Sequence, residues 1–549
     1  MNRKERRAQR KPARGTEPQI SSDSVERLFL DGLNYHQTGH LKEAERNYRR
    51  VLDINPDHTD CLNLLGLAAH QSGDSKSAAR LFSKAIKQNP SNALYQNNYG
   101  CVLKGLGQLD NAEAAYRAAL RVAPDYAEAH FNLGNVLILQ GRNEEAIAAL
   151  NVAIKLNPGW AEAYNNLGTT LRDTKRWEEA AAAFTYSIRL KPDNPEAYYN
   201  LGHLLESQSR YDEAVKAFNS ALLLRPDFAD AHNNLGLVLK KLRAIDAAVK
   251  AFNAAIALSP RHADAHKNLG DVLQVMGKPG EAVGAYQAAI RIRPKFWEAH
   301  KGLGAAYYSL RRFDEALSAF RRGAALGDVS SDHLARALEG KTTKTAPQKY
   351  VVELFDGCAE HFEQHLTSVL QYNAPELLKR LIENTHPGTR FSCMGDLGCG
   401  TGLAGVAFRP IVGRIVGVDL SSKMVELARG KGVYDELIVG EISETLTSLN
   451  THFDLFVLAD VLVYIGELDS LFRVIKDRSI TGARLAFSVE PCQGDQFQLL
   501  PSGRYGHSLP YLKKQLDLIG ASIIAAEEDV IRYESGEPVL GNYVVAALS

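Results

Sequence analysis

The 549-residue sequence predicts a multidomain protein in which an all-α array of helical repeats precedes an α/β domain with a parallel sheet. Two observations carry this prediction. Glycine recurs every 34 residues from Gly32 to Gly304, and residues 391–419 read as a strand, a glycine turn, a helix and a second strand ending in an acid. A content of 45% hydrophobic and 23% charged residues is typical of globular proteins and argues against a disordered or fibrous chain.

The chain begins with a basic segment. Its first fourteen residues include seven lysines and arginines and one glutamate, and no apolar stretch follows. A secretory signal needs such a stretch, so we expect residues 1–24 to be a disordered basic arm and the protein to be cytoplasmic. A contact between this arm and nucleic acid or another acidic surface is the alternative.

Residues 25–330 are predicted to form nine repeats of two antiparallel helices. Alanine follows each repeat glycine after twelve residues, and proline closes eight of the nine units. Glycine and alanine let the two helices approach closely, and proline ends the second helix because it has no N–H to donate. One helix pair cannot bury its own apolar face, so the units are expected to stack into a right-handed superhelix with a concave inner wall.

The period and its residue pattern resemble the tetratricopeptide repeat. Residues 331–348 then contain a capping helix, which lacks the repeat glycine, and a linker rich in threonine and lysine. The resemblance implies that the solenoid binds proteins.

Asparagine stands two residues before the repeat glycine in six consecutive units. At this position of the first helix, each side-chain amide is expected to face the groove, where it can donate to and accept from an extended peptide backbone. The repeat region of O-linked N-acetylglucosamine transferase has a similar ladder. Asparagine is also common at this position in such repeats whatever they bind. The candidate partner-binding residues are Asn98, Asn132, Asn166, Asn200, Asn234 and Asn268.

The second domain, residues 349–549, contains the string DLGCGTG at residues 396–402. Glycines can turn sharply and approach a ligand closely, and a helix starting near Leu403 would direct its first N–H groups at a negative group. Asp419, which ends the apolar run RIVGVD, is placed to accept both hydroxyls of a ribose. The pattern predicts a nucleoside site.

Two kinds of nucleoside ligand fit this loop. Gly400, Gly402 and Gly405 have the GxGxxG spacing of dinucleotide sites. The apolar strand ends by Leu397, however, so the first turn glycine is Gly398, and a dinucleotide site would want its third glycine where Leu403 stands. The spacing therefore disfavours a nicotinamide cofactor.

The glycine string resembles motif I of class I S-adenosylmethionine-dependent methyltransferases, and residues 453–468 resemble their motif IV. Segments 437–441 and 483–491 would be the third and fifth strands, and ASIIAAEEDVIRY and PVLGNYVVAAL the closing antiparallel hairpin, with its turn at Ser535 to Glu537. The resemblance implies that the first acid and the three glycines contact the methionine half of the cofactor, and that the acid after the second strand binds the ribose. Relatives more often have aspartate than glutamate after the third strand, where they hold the adenine amino group. The candidate cofactor-binding residues are Asp396, Gly398, Gly400, Gly402, Asp419, Glu441 and Asp460.

The acceptor side is expected in loops after strands four and five and in the helical segment before the first strand. Methyl transfer is an in-line displacement, so alignment counts most and a base is needed only if the nucleophile must lose a proton. The candidate catalytic residues are Tyr464, Glu490 and His507, the last as a base in a loop over residues 499–508. A surface histidine and a structural glutamate are the alternatives for the last two.

Aromatic residues before the first strand are candidates for a lid over the methyl donor, although apolar residues at helical spacing also occur in a plain core. In the loop after strand five, an arginine is available to pair with a substrate carboxylate. The candidate substrate-binding residues are Tyr350, Phe355, Phe362, Arg504 and Tyr505.

Charge and cysteine usage exclude several classes of function. Residues 345–549 contain 17 lysines and arginines against 26 acids, which disfavours a nucleic-acid substrate. Six cysteines without a CxxC pair indicate neither a disulfide framework nor a zinc site, and we expect no metal. No stretch approaches the roughly 18 apolar residues of a membrane span.

Together these features predict an S-adenosylmethionine-dependent methyltransferase that acts on an unidentified small-molecule or protein acceptor. The repeats would bind a protein that is the substrate or delivers it. The alternative is an interaction scaffold whose methyltransferase-like domain is not catalytic.

Overall fold

The computed structural model describes residues 22–364, 366, 370–534 and 537–549. Most of the predicted basic arm and part of the predicted turn at Ser535 to Glu537 lie outside the described residues. The chain divides into two compact units, Met1–Ser259 and Pro260–Ser549.

The described part of the first unit consists of consecutive helices that pack as antiparallel pairs. The 34-residue period arises where the helices of a pair meet: a Cβ atom added at Gly168 would lie 2.7 Å from Cε1 of Phe184. The same contact joins Gly100 to Tyr116, so the repeat glycine makes room for a bulky side chain sixteen residues later, which is Leu150 in the unit of Gly134. The helices are α1 (Ser22–Gln37), α2 (Leu41–Ile54), α3 (Thr59–Gln71), α4 (Ser75–Gln88), α5 (Ala93–Gly105), α6 (Leu109–Val122), α7 (Ala127–Leu139), α8 (Asn143–Leu156), α9 (Ala161–Asp173), α10 (Trp177–Leu190), α11 (Pro195–Ser207), α12 (Tyr211–Leu224), α13 (Ala229–Lys241) and α14 (Ile245–Leu258).

The second unit begins with two more helix pairs of the same kind and a further helix. Asp328, which replaces the repeat proline, caps that further helix by accepting the N–H of Ser331 at 2.8 Å. Two longer helices then lead to the sheet. The seven helices are α15 (Ala263–Val275), α16 (Pro279–Ile292), α17 (Trp297–Ser309), α18 (Phe313–Ala325), α19 (Val329–Leu338), α20 (Gln348–Gln364) and α21 (Ala374–Thr385).

Among the described residues of the second unit, the chain after α21 forms a mixed sheet of nine strands and the helices that connect them. The strands are β1 (Phe391–Leu397), β2 (Val412–Asp419), β3 (Glu436–Val439), β4 (Phe453–Leu458), β5 (Ser479–Pro491), β6 (Phe497–Leu499), β7 (Tyr505–His507), β8 (Ala521–Glu534) and β9 (Glu537–Leu548). Five parallel strands run in the order β3-β2-β1-β4-β5, and β9 and then β8 continue this sheet antiparallel.

Helices and short helical turns connect the strands and cover both faces of the sheet. Two apolar clusters, one on each side, bury strand residues such as Leu458 and Met394. The connecting helices are α22 (Leu403–Phe408), α23 (Ser422–Gly430), α24 (Ile442–Ser448), α25 (Asp469–Asp477) and α26 (Leu509–Leu518), with 3-10 turns at Arg409–Ile411 and Leu462–Tyr464.

The segment 499–508, predicted as a loop, belongs in part to a hairpin. β6 pairs antiparallel with β7, and β7 extends the end of β5 in parallel. Its Pro, Ser and Gly residues form only the tip, whereas Leu499, Tyr505 and His507 are buried. The prediction of a loop over the whole segment was wrong because only the tip has the composition of a turn, whereas the residues on either side of it form strands.

No helix in the described part of the chain combines the length and the apolar character that crossing a membrane requires.

Candidate functional site

A cavity of about 450 Å³ lies at the carboxyl ends of the parallel strands in the second unit. Asp396 and Asp419 reach it from β1 and β2, and Asp460 from the loop after β4. Helix α20 and the segment before it also line the cavity, through Phe355 and Ala346 among other residues. The cavity therefore occupies the edge where open α/β sheets bind ligands.

Three glycines after β1 turn the chain away from the sheet. Gly398, Gly400 and Gly402 have φ values of 79°, 52° and 93°, which L residues with a side chain rarely adopt. A Cβ atom at Gly398 would collide with Val461, whereas at Gly400 it would meet nothing within 4 Å. Gly398 therefore serves close packing, and Gly400 faces open cavity.

The Asp419 carboxylate is held in one orientation by two backbone N–H groups. Oδ2 accepts from Gly400 at 2.9 Å and Oδ1 from Ser421 at 2.8 Å. Burial raises the pKa of Asp419, and these two N–H groups oppose the rise. The acid thus joins the glycine loop to the end of β2.

Asp396 is almost completely buried and hydrogen-bonded to a residue that the sequence analysis missed. The Tyr434 hydroxyl donates to Oδ2 of Asp396 at 2.5 Å and accepts the N–H of Gly405 at 3.2 Å. Burial is the largest cause that raises the pKa of Asp396 to about 7. The available signal was the pair of extra small residues, Gly405 and Gly417, which leave room for the tyrosine ring.

The same tyrosine accounts for the dinucleotide-like spacing. A Cβ atom at Gly405 would collide with the ring of Tyr434, so this glycine makes room for a side chain of the protein. Helix α22, predicted to direct its first N–H groups at a ligand, has only six residues, and Tyr434 takes up the N–H of Gly405.

The predicted acids after β3 and β4 both line the cavity. Glu441 caps α24 by accepting the N–H of Glu444 at 2.8 Å. Asp460 has a φ of 59°, and its carboxylate accepts from Arg532 at 3.2 and 3.3 Å. A non-glycine residue in this region of φ is strained, and the ion pair helps to hold it there.

Arg532 is the centre of a buried ionic network. Only 1% of this residue is exposed, and its guanidinium also binds Glu490 and, through Nε at 2.7 Å, Glu534. Arg504 pairs with Glu534 in turn and lies 3.7 Å from Glu490. We call Asp460, Glu490, Arg504, Arg532 and Glu534 the arginine network.

The arginine network determines which of its charged side chains reach the cavity and which are paired behind its wall. Arg504, Asp460 and Arg532 belong to the cavity wall, whereas Glu490 lies behind them as a partner of Arg532. Burial raises the pKa of Glu490, and the arginines oppose this. An arginine inside the apolar strand segment DVIRY was the available signal for Arg532.

Aromatic side chains form the wall beside Arg504. The ring of Phe355 lies 5.5 Å from Phe362 and 5.4 Å from Tyr464, in edge-on geometry. All three line the cavity, and burial raises the pKa of Tyr464 to about 12. Tyr350 instead packs its ring 4.7 Å from His333 of α19 and is not among the described wall residues.

Tyr505 and His507 are likewise not among the described residues that line the cavity. The Tyr505 hydroxyl is hydrogen-bonded to Thr343 at 2.5 Å, and Nε2 of His507 donates to the Gly466 carbonyl at 3.0 Å. Burial lowers the pKa of His507 to about 4. Both side chains support the wall from behind.

The predicted linker forms part of the wall. The Lys344 carbonyl accepts the N–H groups of Gly466 and Glu467 at 2.9 and 2.7 Å, and the N–H of Ala346 donates to the Tyr464 carbonyl at 3.0 Å. Thr345 and Ala346 line the cavity. We call residues 342–348 the strap, because they lie across the loop that follows β4.

Helix α20 connects the last repeat with the side of the cavity on which Asp419 lies. Glu353 forms an ion pair with Lys301 of α17 at 3.1 Å and accepts the hydroxyl of Ser330 at 2.8 Å. One turn later, Asp356 is hydrogen-bonded to Ser421 at 2.5 Å, two residues beyond Asp419. Helix α20 thus contacts both the last repeat and Ser421, whose N–H donates to Asp419.

The asparagine ladder of the first unit links neighbouring repeats. The side-chain amide of Asn98 donates to Asn63 at 3.0 Å, and that of Asn132 donates to Asn97 at 3.0 Å. Asn166, Asn200 and Asn234 donate in the same way to Asn135, Asn165 and Tyr199, at 2.9, 3.0 and 3.0 Å. These five are half-buried. Asn268, in the second unit, is 7% exposed.

The described residues contain no group of three or more His, Cys, Asp or Glu side chains arranged to hold a metal ion.

Sequence families match both parts of the chain. A model described as the C-terminal domain of cilia and flagella-associated protein 70 matches residues 3–235, and the tetratricopeptide repeat model matches residues 233–274 and 267–330. A methyltransferase domain model matches residues 395–487. No curated protein matches the chain.

Solved structures of repeat proteins are also similar. The hetero-tetramer Cut9-Hcn1 of the APC/C has a chain with 22% identity and a TM-score of 0.39, matched over 53% of this chain and 57% of its own length. YrrB, a TPR protein described as having an unusual peptide-binding site, is 26% identical over 34% of this chain and 96% of its own, with a TM-score of 0.30. PilF of Pseudomonas aeruginosa is 24% identical over 38% and 94%, with a TM-score of 0.35.

The family matches and the sheet order agree with the two resemblances stated from the sequence. The chain is therefore a fusion of tetratricopeptide repeats with a class I methyltransferase domain.

Proposed function

We propose that the protein is an S-adenosylmethionine-dependent methyltransferase whose repeats bind a protein that is the substrate or delivers it. The observation that carries the proposal is the pairing of Asp419 with the N–H of Gly400 inside the cavity. This contact fixes an acid beside a glycine loop, as recognition of a ribose and an amino-acid moiety requires.

The cavity residues fit such a cofactor. Open space at the Gly400 Cα gives a ligand access to the backbone. The Thr401 hydroxyl is buried against the cavity and has no hydrogen-bond partner among the described residues. A buried hydroxyl without a partner costs free energy, which a polar ligand would recover.

Each cofactor-side residue has a distinct role in this proposal. Asp419 would accept the ribose hydroxyls, Glu441 would lie toward the adenine, and Asp396 would face the amino-acid end. S-adenosylmethionine would supply an activated methyl group on its sulfonium sulfur. The chain contributes alignment and excludes water, which is where most of the catalysis is expected.

The acceptor would enter beside Tyr464, Phe355 and Arg504. The carboxylates nearest to this region, Asp460 and Glu490, are bound to arginine, and His507 lies behind the wall. The arrangement favours an acceptor that needs little help in losing a proton, from either a small molecule or a protein. Tyr464 remains the candidate for contact with the acceptor atom.

Calorimetric titration of the full-length protein with S-adenosylmethionine tests the cofactor assignment. Asp419→Ala should weaken binding about a hundredfold, since two hydrogen bonds to a charged group are lost. The matched control is Asp495→Ala, which removes an exposed acid of the same domain and should leave affinity unchanged. Equal affinity of wild type and Asp419→Ala would refute the site.

For the repeats, the proposal is that the half-buried ladder asparagines bind an extended segment of the partner. The double variant Asn166→Ala, Asn200→Ala should retain less partner protein from a lysate than the wild type does. Less tritium from a labelled methyl donor should then be transferred to the retained proteins. Asn151→Ala, on the exposed side of α8, is the control. Retention without labelling, in wild type that binds the cofactor, would favour the non-catalytic scaffold.

A further inference from the structure

Tyr434 occupies a slot made by glycines beneath the loop that follows β1. A Cβ atom added at Gly402 would lie 3.0 Å from Cε2 of the tyrosine, and one at Gly417 would lie 2.8 Å from Cε1. At Gly405 the added atom would collide with the ring itself. Three glycines on three neighbouring segments thus leave space for one side chain.

The ring places its hydroxyl between two groups at the floor of the cavity. The hydroxyl donates to Asp396 at 2.5 Å and accepts from the N–H of Gly405 at 3.2 Å. Because the N–H fills the acceptor position of the hydroxyl, its hydrogen is directed at the carboxylate. Asp396 is 1% exposed and lines the cavity, so this is a buried acid with one side-chain donor beneath it.

Other titratable groups that face Asp396 do not stabilise its charge. Asp419, at the end of β2, raises the pKa of Asp396 further, after the larger effect of burial. Asp396 in turn raises the pKa of both Cys399 in the glycine loop and Tyr372 before α21, for which burial is the main cause. The Tyr434 hydroxyl and the Gly405 N–H are the groups that lower the pKa of Asp396, which lies at about 7.

We propose that Tyr434 is a positioning residue that orients the Asp396 carboxylate and favours its ionised form, so that the cavity selects ligands carrying an ammonium group at their amino-acid end. This inference rests on the proposed function and deepens it. The cavity would discriminate between nucleosides with and without an amino-acid moiety, and this discrimination would depend on the protonation of Asp396.

The direction of the pH dependence follows from the carboxylate. An ammonium group pairs with Asp396 only in its ionised form, so affinity is high above the pKa and falls as pH decreases through about 7. Tyr434→Phe keeps the ring in its slot and removes the donor. The pKa of Asp396 then rises, and the loss of affinity begins at a higher pH.

The experiment compares two ligands on full-length protein by calorimetry between pH 6 and 8.5. S-adenosylhomocysteine carries the ammonium group, and 5′-methylthioadenosine is a nucleoside without it. We expect Tyr434→Phe to lower the affinity for S-adenosylhomocysteine about tenfold at pH 7.5, which corresponds to one hydrogen bond to a charged group. The midpoint of the pH dependence of this affinity should move upward. Affinity for 5′-methylthioadenosine should stay within about twofold, because that ligand offers Asp396 no charge.

Two further variants make the outcome decisive. Asp396→Asn should bind S-adenosylhomocysteine with the same weak affinity at every pH. Tyr511→Phe removes another buried hydroxyl of this unit, which accepts the N–H of Leu468 at 2.9 Å. This control should leave the affinity for both ligands unchanged.

An unchanged pH midpoint in Tyr434→Phe, or equal weakening of both ligands, would overturn the inference and leave Tyr434 a packing residue. Failure of the proposed function looks different, because wild-type protein would then bind neither ligand, which would overturn both.

Discussion

The two sides of the cavity are built in different ways. On the proposed cofactor side, the N–H of Gly400 donates to Asp419, the acid that ends β2, and the N–H of Gly405 donates to Tyr434. On the proposed acceptor side, the arginine network and the strap bring together residues between Thr342 and Glu534. The first side depends on backbone geometry and the second on paired charges, so substitutions should affect them differently.

The largest expected effect is on the acceptor side. Arg532→Met removes the main counter-ion of the half-buried Asp460 and of the buried Glu490, and should lower the free energy of unfolding by about 3–5 kcal/mol. Chemical denaturation of full-length protein measures this, with Arg473→Met as the control because Arg473 forms an exposed pair with Asp469. A change below about 1 kcal/mol in Arg532→Met would show that the network does not hold this side together.

On the cofactor side, a matched pair of glycine substitutions separates stability from binding. Both positions have positive φ, so Gly398→Ala and Gly400→Ala should each cost about 1–2 kcal/mol of stability. Gly398→Ala should lose more stability than Gly400→Ala, because its Cβ atom meets Val461. For the same loss of stability, Gly400→Ala should lose more affinity for S-adenosylhomocysteine. The reverse order would contradict the assignment of Gly400 to the cavity surface.

The glycine turn after β1 and the acid at the end of β2 could be predicted from the sequence because their signal is local. Glycines at fixed spacing after an apolar strand imply a turn, and an acid at the end of the next parallel strand must lie at the same edge of the sheet. The tetratricopeptide period likewise predicted the helix pairs, since the repeat glycine and a bulky side chain sixteen residues later recur in register.

The acceptor side was predicted less completely because its contacts are distant in sequence. Phe355, Phe362, Tyr464 and Arg504 do line the same cavity, but Arg532 and Thr345, which also line it, carry no motif. His507 was interpreted from its loop-like neighbours, whereas strand pairing buries it. Tyr434 escaped notice because its role depends on the space left by glycines on other segments.

A smaller effect concerns the buried charge of Asp396. Its folded pKa of about 7 is above the usual value, so the acid contributes stability at low pH that is lost as pH rises through 7. Asp396→Asn should therefore melt at a higher temperature than wild type at pH 8, by a few degrees, with a much smaller difference at pH 5. Thermal denaturation at both pH values checks this, and an equal difference at both would contradict the raised pKa.

The smallest expected effect tests whether the two sides are energetically separate. Thr343→Val removes the partner of the Tyr505 hydroxyl and should cost about 1 kcal/mol of stability. Affinity for S-adenosylhomocysteine should stay within about twofold, since neither residue touches the glycine loop. A larger loss of affinity would show that the strap and the cofactor loop act as one unit.

The most direct measurement of the central claim is backbone hydrogen exchange of full-length protein with and without S-adenosylhomocysteine. We expect slower exchange in peptides that contain Cys399–Leu403, Asp419–Ser421 and Glu441–Glu444, and little change in α7 to α12. Protection confined to the repeats, or no protection at saturating ligand, would contradict a cofactor site at the glycine loop.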